Sequence, residues 1–259
     1  MKVPKIESTG SGGGMKLFCK GLGTQHPDIT NASRRIKKGE FIKCQDKGID
    51  LIEVKVGYDG IVVANSKKGI LLEISKADLG KALTAKIPVD GKWVDNPYKK
   101  WSDINPSLPS LPIRVYGPPT TSGTRASYAE MVNQKGYCAK DKVAKAASKA
   151  RGDKKGKKCR AMRTDGAFIE AGEQDNLIVQ KLQEDPKAYG IFGFSYLDQN
   201  SDTLQGAVIS KTAPTFENIA GNNYSVSRAL YFYVKHAHIV VVQSIDTIYY
   251  THMNLTTKA

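Results

Sequence analysis

Apolar runs of strand length alternate with helical patterns along most of this chain. LPIRVYG, Leu111 to Gly117, reads as a short buried strand stopped by Pro118 and Pro119, and RASYAEMVNQKG starts a helix that Gly136 can end. Upstream, MKLFCKGLG has the apolar spacing of a short helix. DLIEVKV and DGIVVAN form two strand patterns, the second ending at Asn65, and ILLEIS leads into a helix over SKADLGKAL. Downstream come a strand in DGAFIEA, an amphipathic helix from about Asn176 to Leu182, a buried strand in AYGIFGFSYL and a long strand in RALYFYVKH. Strands alternating with helices predict an α/β protein. Asp90 to Pro109 reads as an ordered surface loop, because Trp93 and Trp101 need burial.

Three polar turns interrupt this pattern in front of helices. TTSGTR, Thr120 to Arg125, gathers the hydroxyls of Thr121, Ser122 and Thr124 at a helix N-terminus, with Gly123 letting a ligand reach the backbone. Its first turn carries Arg125 and no acid until Glu130, a mismatch with the helix dipole of about 0.3–1 kcal/mol that a bound oxyanion would reverse. The alternative is that Ser122 or Thr124 caps the helix and Arg125 points into water. ESTGSGGG, Glu7 to Gly14, is a second cradle with Ser11 as donor, or else a flexible linker. DITNASRRIKKGE sets Asn31 and Ser33 before a helical stretch, with Arg34 and Arg35 in its first turn.

Composition narrows the partners. The 259 residues are 40% hydrophobic and 25% charged, those of a globular protein, with net charge +14. Aromatics do not interleave with the basic runs and no nucleic-acid-binding motif appears, so nucleic acid is not an expected partner. The basic stretch AKAASKARGDKKGKKCR reads as a solvated helix end and loop, with anion docking the minor reading. No apolar run approaches a membrane span, and MKVPKIESTGSGGG contains no leader-like apolar segment, which by itself would place the protein in the cytoplasm. The cysteines argue otherwise. They fall as Cys19 with Cys44 and Cys138 with Cys159, closing loops of 25 and 21 residues if oxidised, which implies an oxidising compartment; four unpaired thiols are the alternative. Catalytic and cofactor motifs are absent, and none of the cysteine spacings suits a metal. His236 and His238 read as strand-end residues, and Glu170, Glu173 and Asp175 as an acidic turn at a cleft edge.

ESTGSGGGMKLFCKG, PDITNASRRIK, GYDGIVVAN, VYGPPTTSGTR, DGAFIEAGEQDNLIVQKL, YGIFGFSYL and SRALYFYVKHAH, taken in order, resemble the phosphate-binding proteins of bacterial ABC phosphate importers. The resemblance runs from about Ile6 to about His238. It implies a type II periplasmic-binding-protein fold. Residues 1–65 and 229–259 would form lobe one and 66–228 lobe two, with DGIVVAN and RALYFYVKH as hinge strands and phosphate in the cleft between the lobes. It further implies a monomeric, non-enzymatic periplasmic protein without cofactor that delivers phosphate to a membrane permease. The ligand set carried over is Ser11, Gly12, Ser33 and Arg34 from lobe one, with Thr121, Ser122, Gly123, Thr124 and Arg125 from lobe two.

Three departures accompany the resemblance. Family members carry a leader, a strand and a further phosphate-touching Gly-Ser/Thr turn before the segment resembling ESTGSGGG, and they extend further past the return strand than HIVVVQSIDTIYYTHMNLTTKA. In the best-studied branch an Asp after the Ala-Ser of the second turn accepts the phosphate's proton, where this chain has Arg34, and an Arg stands where this chain has Pro118. Arg34 and Arg125 would then supply the charge from new positions, with Asp59 the candidate proton acceptor. Another tetrahedral oxyanion such as sulfate or arsenate, a phosphate-ester hydrolase using Glu170 or Glu173, and a shortened remnant without ligand are the competing expectations.

Overall fold

In the computed structural model, residues 5–7, 9–120, 122–172 and 174–239 are described. Thr121, Glu173 and the tail from residue 240 on, all of which figured in the sequence reading, lie outside them. The chain divides into two compact units, residues 1–58 with 228–259 and residues 59–227. No described helix is long and apolar enough to cross a membrane.

The first unit is small. Helix α1 (Gly10–Phe18) lies on strand β1 (Ile29–Ala32), helix α2 (Lys38–Gln45) follows, and β2 (Leu51–Ser66) starts here and runs on into the second unit. The last strand among the described residues, β11 (Ser227–Lys235), pairs antiparallel with β1, Ile29 opposite Val234 and Ala32 opposite Tyr231. Met15, Phe18, Cys19, Cys44, Ile49 and Tyr233 form the core, and a disulfide joins Cys19 to Cys44. The contact of α1 with β1 is close enough that a Cβ on Gly14 would sit 2.5 Å from Thr30 Oγ1, which explains a glycine run inside a helix that otherwise suffers from it.

In the second unit β2 continues antiparallel to β8 (Tyr189–Gly193) and β9 (Leu204–Gly206), with β8 parallel to β6 (Val115–Gly117) and β6 parallel to β7 (Phe168–Glu170). Between these come β3 (Glu73–Ile74), α3 (Lys76–Leu83), β4 (Lys86–Val89), β5 (Lys92–Asp95), α4 (Gly123–Tyr128), α5 (Lys142–Ala150), α6 (Asp175–Glu184), α7 (Phe194–Gln199), β10 (Val208–Ile209) and α8 (Phe216–Ala220). Parallel strands need crossovers, and helix α6 supplies the one from β7 to β8, burying Ile178, Val179 and Leu182. The expected α/β architecture is present, and side chains cap several helices: Ser75 Oγ accepts from Asp78 N at 3.0 Å and Asp141 Oδ1 from Ala144 N at 2.8 Å.

Several local expectations are corrected. DLIEVKV and DGIVVAN are one sixteen-residue strand, and Gly60 within it stands where a Cβ would run into Ile219. Gly136 does not end the helix after α4. The chain continues to Cys138 as a π-helical segment, Ala129–Cys138, and Gly136 serves close packing instead: its Cβ would lie 3.1 Å from Lys76 O, as that of Gly80 on α3 would lie 2.6 Å from Val132 O. AYGIFGFSYL is strand only to Gly193, after which α7 begins. The loop from Asp90 to Pro109 opens with a hairpin of β4 and β5, Val89 opposite Lys92, turned by Asp90 and Gly91 at φ of 48° and 78°. Trp101 is fully buried as required, whereas Trp93 is only partly so and stacks under Arg151. His236 and His238 sit on a 3-10 turn rather than a strand, His238 reaching Asp28 Oδ1 at 2.6 Å and Leu22 O at 2.8 Å.

One buried charge dominates the second unit. Arg163, 2% exposed, donates to the carbonyls of Ala82 and Tyr98 and to both oxygens of Asp165. The hydrogen bond from Arg163 outweighs burial and holds the Asp165 carboxyl far below its usual range. Asp165→Asn leaves the guanidinium with its two carbonyls but no counter-charge, and thermal or urea unfolding should show a loss of about 2 kcal/mol. A carboxyl whose folded value is depressed stabilises above its unfolded value near 3.9, so the deficit is complete above about pH 4 and closes as pH falls further.

Candidate functional site

Each unit carries one turn in which hydroxyls and an arginine meet a helix N-terminus. In the second unit, β6 ends at Gly117, the two prolines turn the chain, and Ser122 caps α4, its Oγ accepting from Thr124 N at 3.2 Å and Arg125 N at 3.5 Å. Ser122 therefore caps the helix, as one of the two readings of this turn expects. The Thr124 hydroxyl has no partner among the described residues. Gly123 has ordinary backbone angles, and a Cβ there would meet nothing within 4 Å, so the fold itself does not require glycine at this point. An absent side chain facing open space is what close approach of a ligand to the backbone needs.

Arg125 does not point into water. Its side chain is 11% exposed, lies with its guanidinium carbon 4.8 Å from the Phe168 ring centre, and donates through Nη1 to Glu170 and to Pro118 O. Register explains the pairing: Glu170 ends β7 directly opposite Gly117 at the end of β6, so the helix that follows β6 returns its arginine to the neighbouring strand's last residue. The carboxylate holds one edge of the guanidinium, and Nε and Nη2 donate to nothing among the described residues. The Glu170 of the acidic turn is thus a partner for Arg125, and its neighbour Asp175 accepts from Gly193 N at 3.3 Å.

In the first unit the structure brings together four of the predicted residues. Ser11 Oγ lies 3.2 Å from Ser33 Oγ and accepts from Ser33 N at 3.0 Å, and a Cβ on Gly12 would sit 3.8 Å from Arg34 Nη2. Glu7 to Gly14 is therefore no linker from Gly10 on, since α1 starts there without an acid in its first turn. Arg34 and Arg35 are not helical, contrary to expectation: α2 begins only at Lys38, after a bend that follows β1. The bend is set by Tyr233, whose hydroxyl accepts from Ile36 N at 2.7 Å and donates to Glu53 Oε2 at 2.8 Å, while Glu53 Oε1 pairs with Arg35 at 2.8 Å. Burial, then the bond to Glu53, pushes the Tyr233 phenol well up, keeping it a neutral donor.

Arg34 is gripped by Glu40 through Nη1 at 2.8 Å and Nη2 at 2.7 Å. Burial alone would raise the Glu40 carboxyl, but the bonds from Arg34 and Lys37 N hold it below its ordinary range. Glu40, Glu53 and Tyr233 escaped sequence reasoning because Tyr233 acts across 197 positions, although an acid at the third position of α2 is a legible capping signal. Asp59 lies half-buried on β2. A groove of about 690 Å³ opens beside Gly12 and Glu40, but Met15, Cys19 and flanking lysines wall it, not the serine hydroxyls.

The comparisons with known proteins agree in direction. The chain is 33% identical over 233 residues to the protein SphX of Synechococcus elongatus and 29% identical over 232 residues to the phosphate-binding protein PstS of Staphylococcus saprophyticus, covering 87% of its own length in each case. It spans only 58% and 59% of the length of those relatives. Among solved structures, a possible phosphate binding protein from Planctomyces limnophilus aligns with a TM-score of 0.63 at 28% identity, over 89% of this chain and 70% of that one. PstS from Borrelia burgdorferi, at 20% identity and a TM-score of 0.57 over 91% of this chain and 76% of that one, shares the fold. The PBP superfamily domain matches residues 1–246, and with two α/β units, two strands leading from one to the other and a hydroxyl-arginine turn in each, the chain belongs to the PBP superfamily and has its type II periplasmic-binding-protein fold.

Proposed function

We propose that the chain binds inorganic phosphate, without transforming it, and passes it to the membrane permease of an ABC-type importer. The observation that carries this reading is the repeated construction of the two turns. Ser11, Gly12, Ser33 and Arg34 in one unit and Ser122, Gly123, Thr124 and Arg125 in the other each offer hydroxyls, a glycine and an arginine oriented by a carboxylate. Fixed donors of this kind suit a small tetrahedral oxyanion, and the named relatives include phosphate-binding proteins. The two strands at the unit boundary, β2 and β11, act as the hinges of ligand closure in this reading. Two disulfides fit a protein that works outside the reducing cytosol, in the periplasm in this reading, where it would act as a monomer by the family resemblance alone. Asp59 takes the place of the proton acceptor.

Titration calorimetry decides the ligand. Phosphate and arsenate should release or absorb heat at micromolar protein, and fully ionised sulfate, which has no proton to share with Asp59, should not. Asp59→Asn should then narrow the gap between phosphate and sulfate by at least tenfold. A sulfate preference in the unaltered protein would reassign the oxyanion, and no heat with either would end the reading.

A further inference from the structure

A long run of uncompensated charge occupies helix α5 and the loop that follows it. Helix α5 presents Lys142, Lys145 and Lys149 at spacings that share one helix face, all exposed, and the loop behind it exposes Lys154, Lys155, Lys157 and Lys158. From residue 142 to 160 the sole acid is Asp153. It is spent on the loop itself, accepting from Lys157 N and Lys158 N at 2.8 Å each and pairing with Arg151. None of the seven lysines has a carboxylate within ion-pair distance among the described residues.

This basic ridge is built, not frayed. Gly152 and Gly156 turn the loop at φ of 77° and 64°, Asp153 N returns to Ser148 O on α5 at 2.9 Å, Gln134 Nε2 donates to Lys155 O at 2.6 Å, and Cys159 is bonded to Cys138. The arginines of the segment are already engaged. Arg151 stacks on Trp93 with its guanidinium carbon 3.4 Å from the ring centre, and Arg160 is taken by Glu130 and Gln134. The charges left without a carboxylate are lysines, and Val143 among them is 62% exposed.

That selection chooses the partner. Stable protein interfaces are enriched in aromatics and arginine and depleted in lysine, and nucleic-acid surfaces interleave aromatics with the charge. A row of hydrated point charges on a fixed frame suits a diffuse field of phosphate headgroups. We propose that the ridge from Lys142 to Lys158 docks the protein on an anionic lipid bilayer.

Sedimentation of the full chain with vesicles tests this. Binding is expected to phosphatidylcholine vesicles containing about 30% phosphatidylglycerol at low salt, with none to phosphatidylcholine alone and loss in about 0.5 M salt. Each lysine near such a surface contributes about fivefold, so the variant with Lys154, Lys155, Lys157 and Lys158 all changed to Gln should bind at least ~100-fold more weakly. A control with the same charge change elsewhere, Lys38, Lys43, Lys47 and Lys67 to Gln, should stay within about threefold of the unaltered protein. The proposal is overturned if the loop variant binds like wild type, if the control weakens equally, or if the protein takes up soluble polyphosphate or an acidic protein while ignoring vesicles. Phosphate binding by the two turns does not enter any of these outcomes.

Discussion

Ser122→Asp should abolish phosphate binding, lowering affinity at least ~100-fold, while thermal unfolding stays cooperative with a nearly unchanged midpoint. The two halves of this result have separate causes. Aspartate caps helices as well as serine does, and its charge is favourable at a helix N-terminus, so α4 keeps its cap. The same charge faces an incoming phosphate. Two unit charges about 4 Å apart repel by about 4 kcal/mol at the effective dielectric of a protein surface, and two thirds of that already reaches a hundredfold. Ser122→Ala is the informative companion. It removes the cap, at about 1 kcal/mol of stability, but adds no charge, so binding weakens without vanishing. Calorimetry and melts on both variants separate the effects. An aspartate variant that binds phosphate like the unaltered protein would remove the second-unit turn from the site.

How much of this was legible beforehand depended on whether the deciding contact was local. Ser122 as a cap, Gly123 as a gap and Arg125 as a misplaced charge are all readable in six consecutive residues, and the turn is where it was expected. What Arg125 does with its charge was not readable, because Glu170 reaches it only through the parallel pairing of β6 with β7. Arg34 shows the limit more plainly. Periodicity placed it inside a helix, yet the chain bends at that point because the phenol of Tyr233, from β11, satisfies Ile36 N and recruits Glu53. The break of YGIFGFSYL into strand and helix likewise depends on tertiary context, since its aromatics and Ile191 favour strand on both sides of the break at Gly193. The hairpin at Asp90–Gly91 is a different kind of miss: its signal is strictly local, and the two tryptophans that follow it drew attention to burial instead.

The two disulfides should separate by function although their stabilities are nearly equal. Closing loops of 25 and 21 residues, each is worth about 3–4 kcal/mol, so either cysteine pair changed to serine should lower the melting midpoint by about 6–16 °C. Their surroundings differ. Cys44 is the one buried residue of α2, whose Phe41 and Ile42 are 42% and 45% exposed, so the bond to Cys19 is the principal anchor of that helix against the core. The same helix carries Glu40, which fixes both Nη atoms of Arg34, and Cys19 on its side reaches Glu40 O at 3.7 Å. Cys138 and Cys159 instead close the lysine ridge, packed with Tyr137 and Ala144. Cys19→Ser with Cys44→Ser should therefore weaken phosphate binding about tenfold, because Arg34 loses its fixed frame and its ordering entropy falls on the ligand. Cys138→Ser with Cys159→Ser should leave phosphate affinity within about twofold, since the binding turns keep their supports. Equal losses of affinity in the two variants would show that binding senses global stability alone, and Glu40 would then lose its assignment as the residue that orients Arg34.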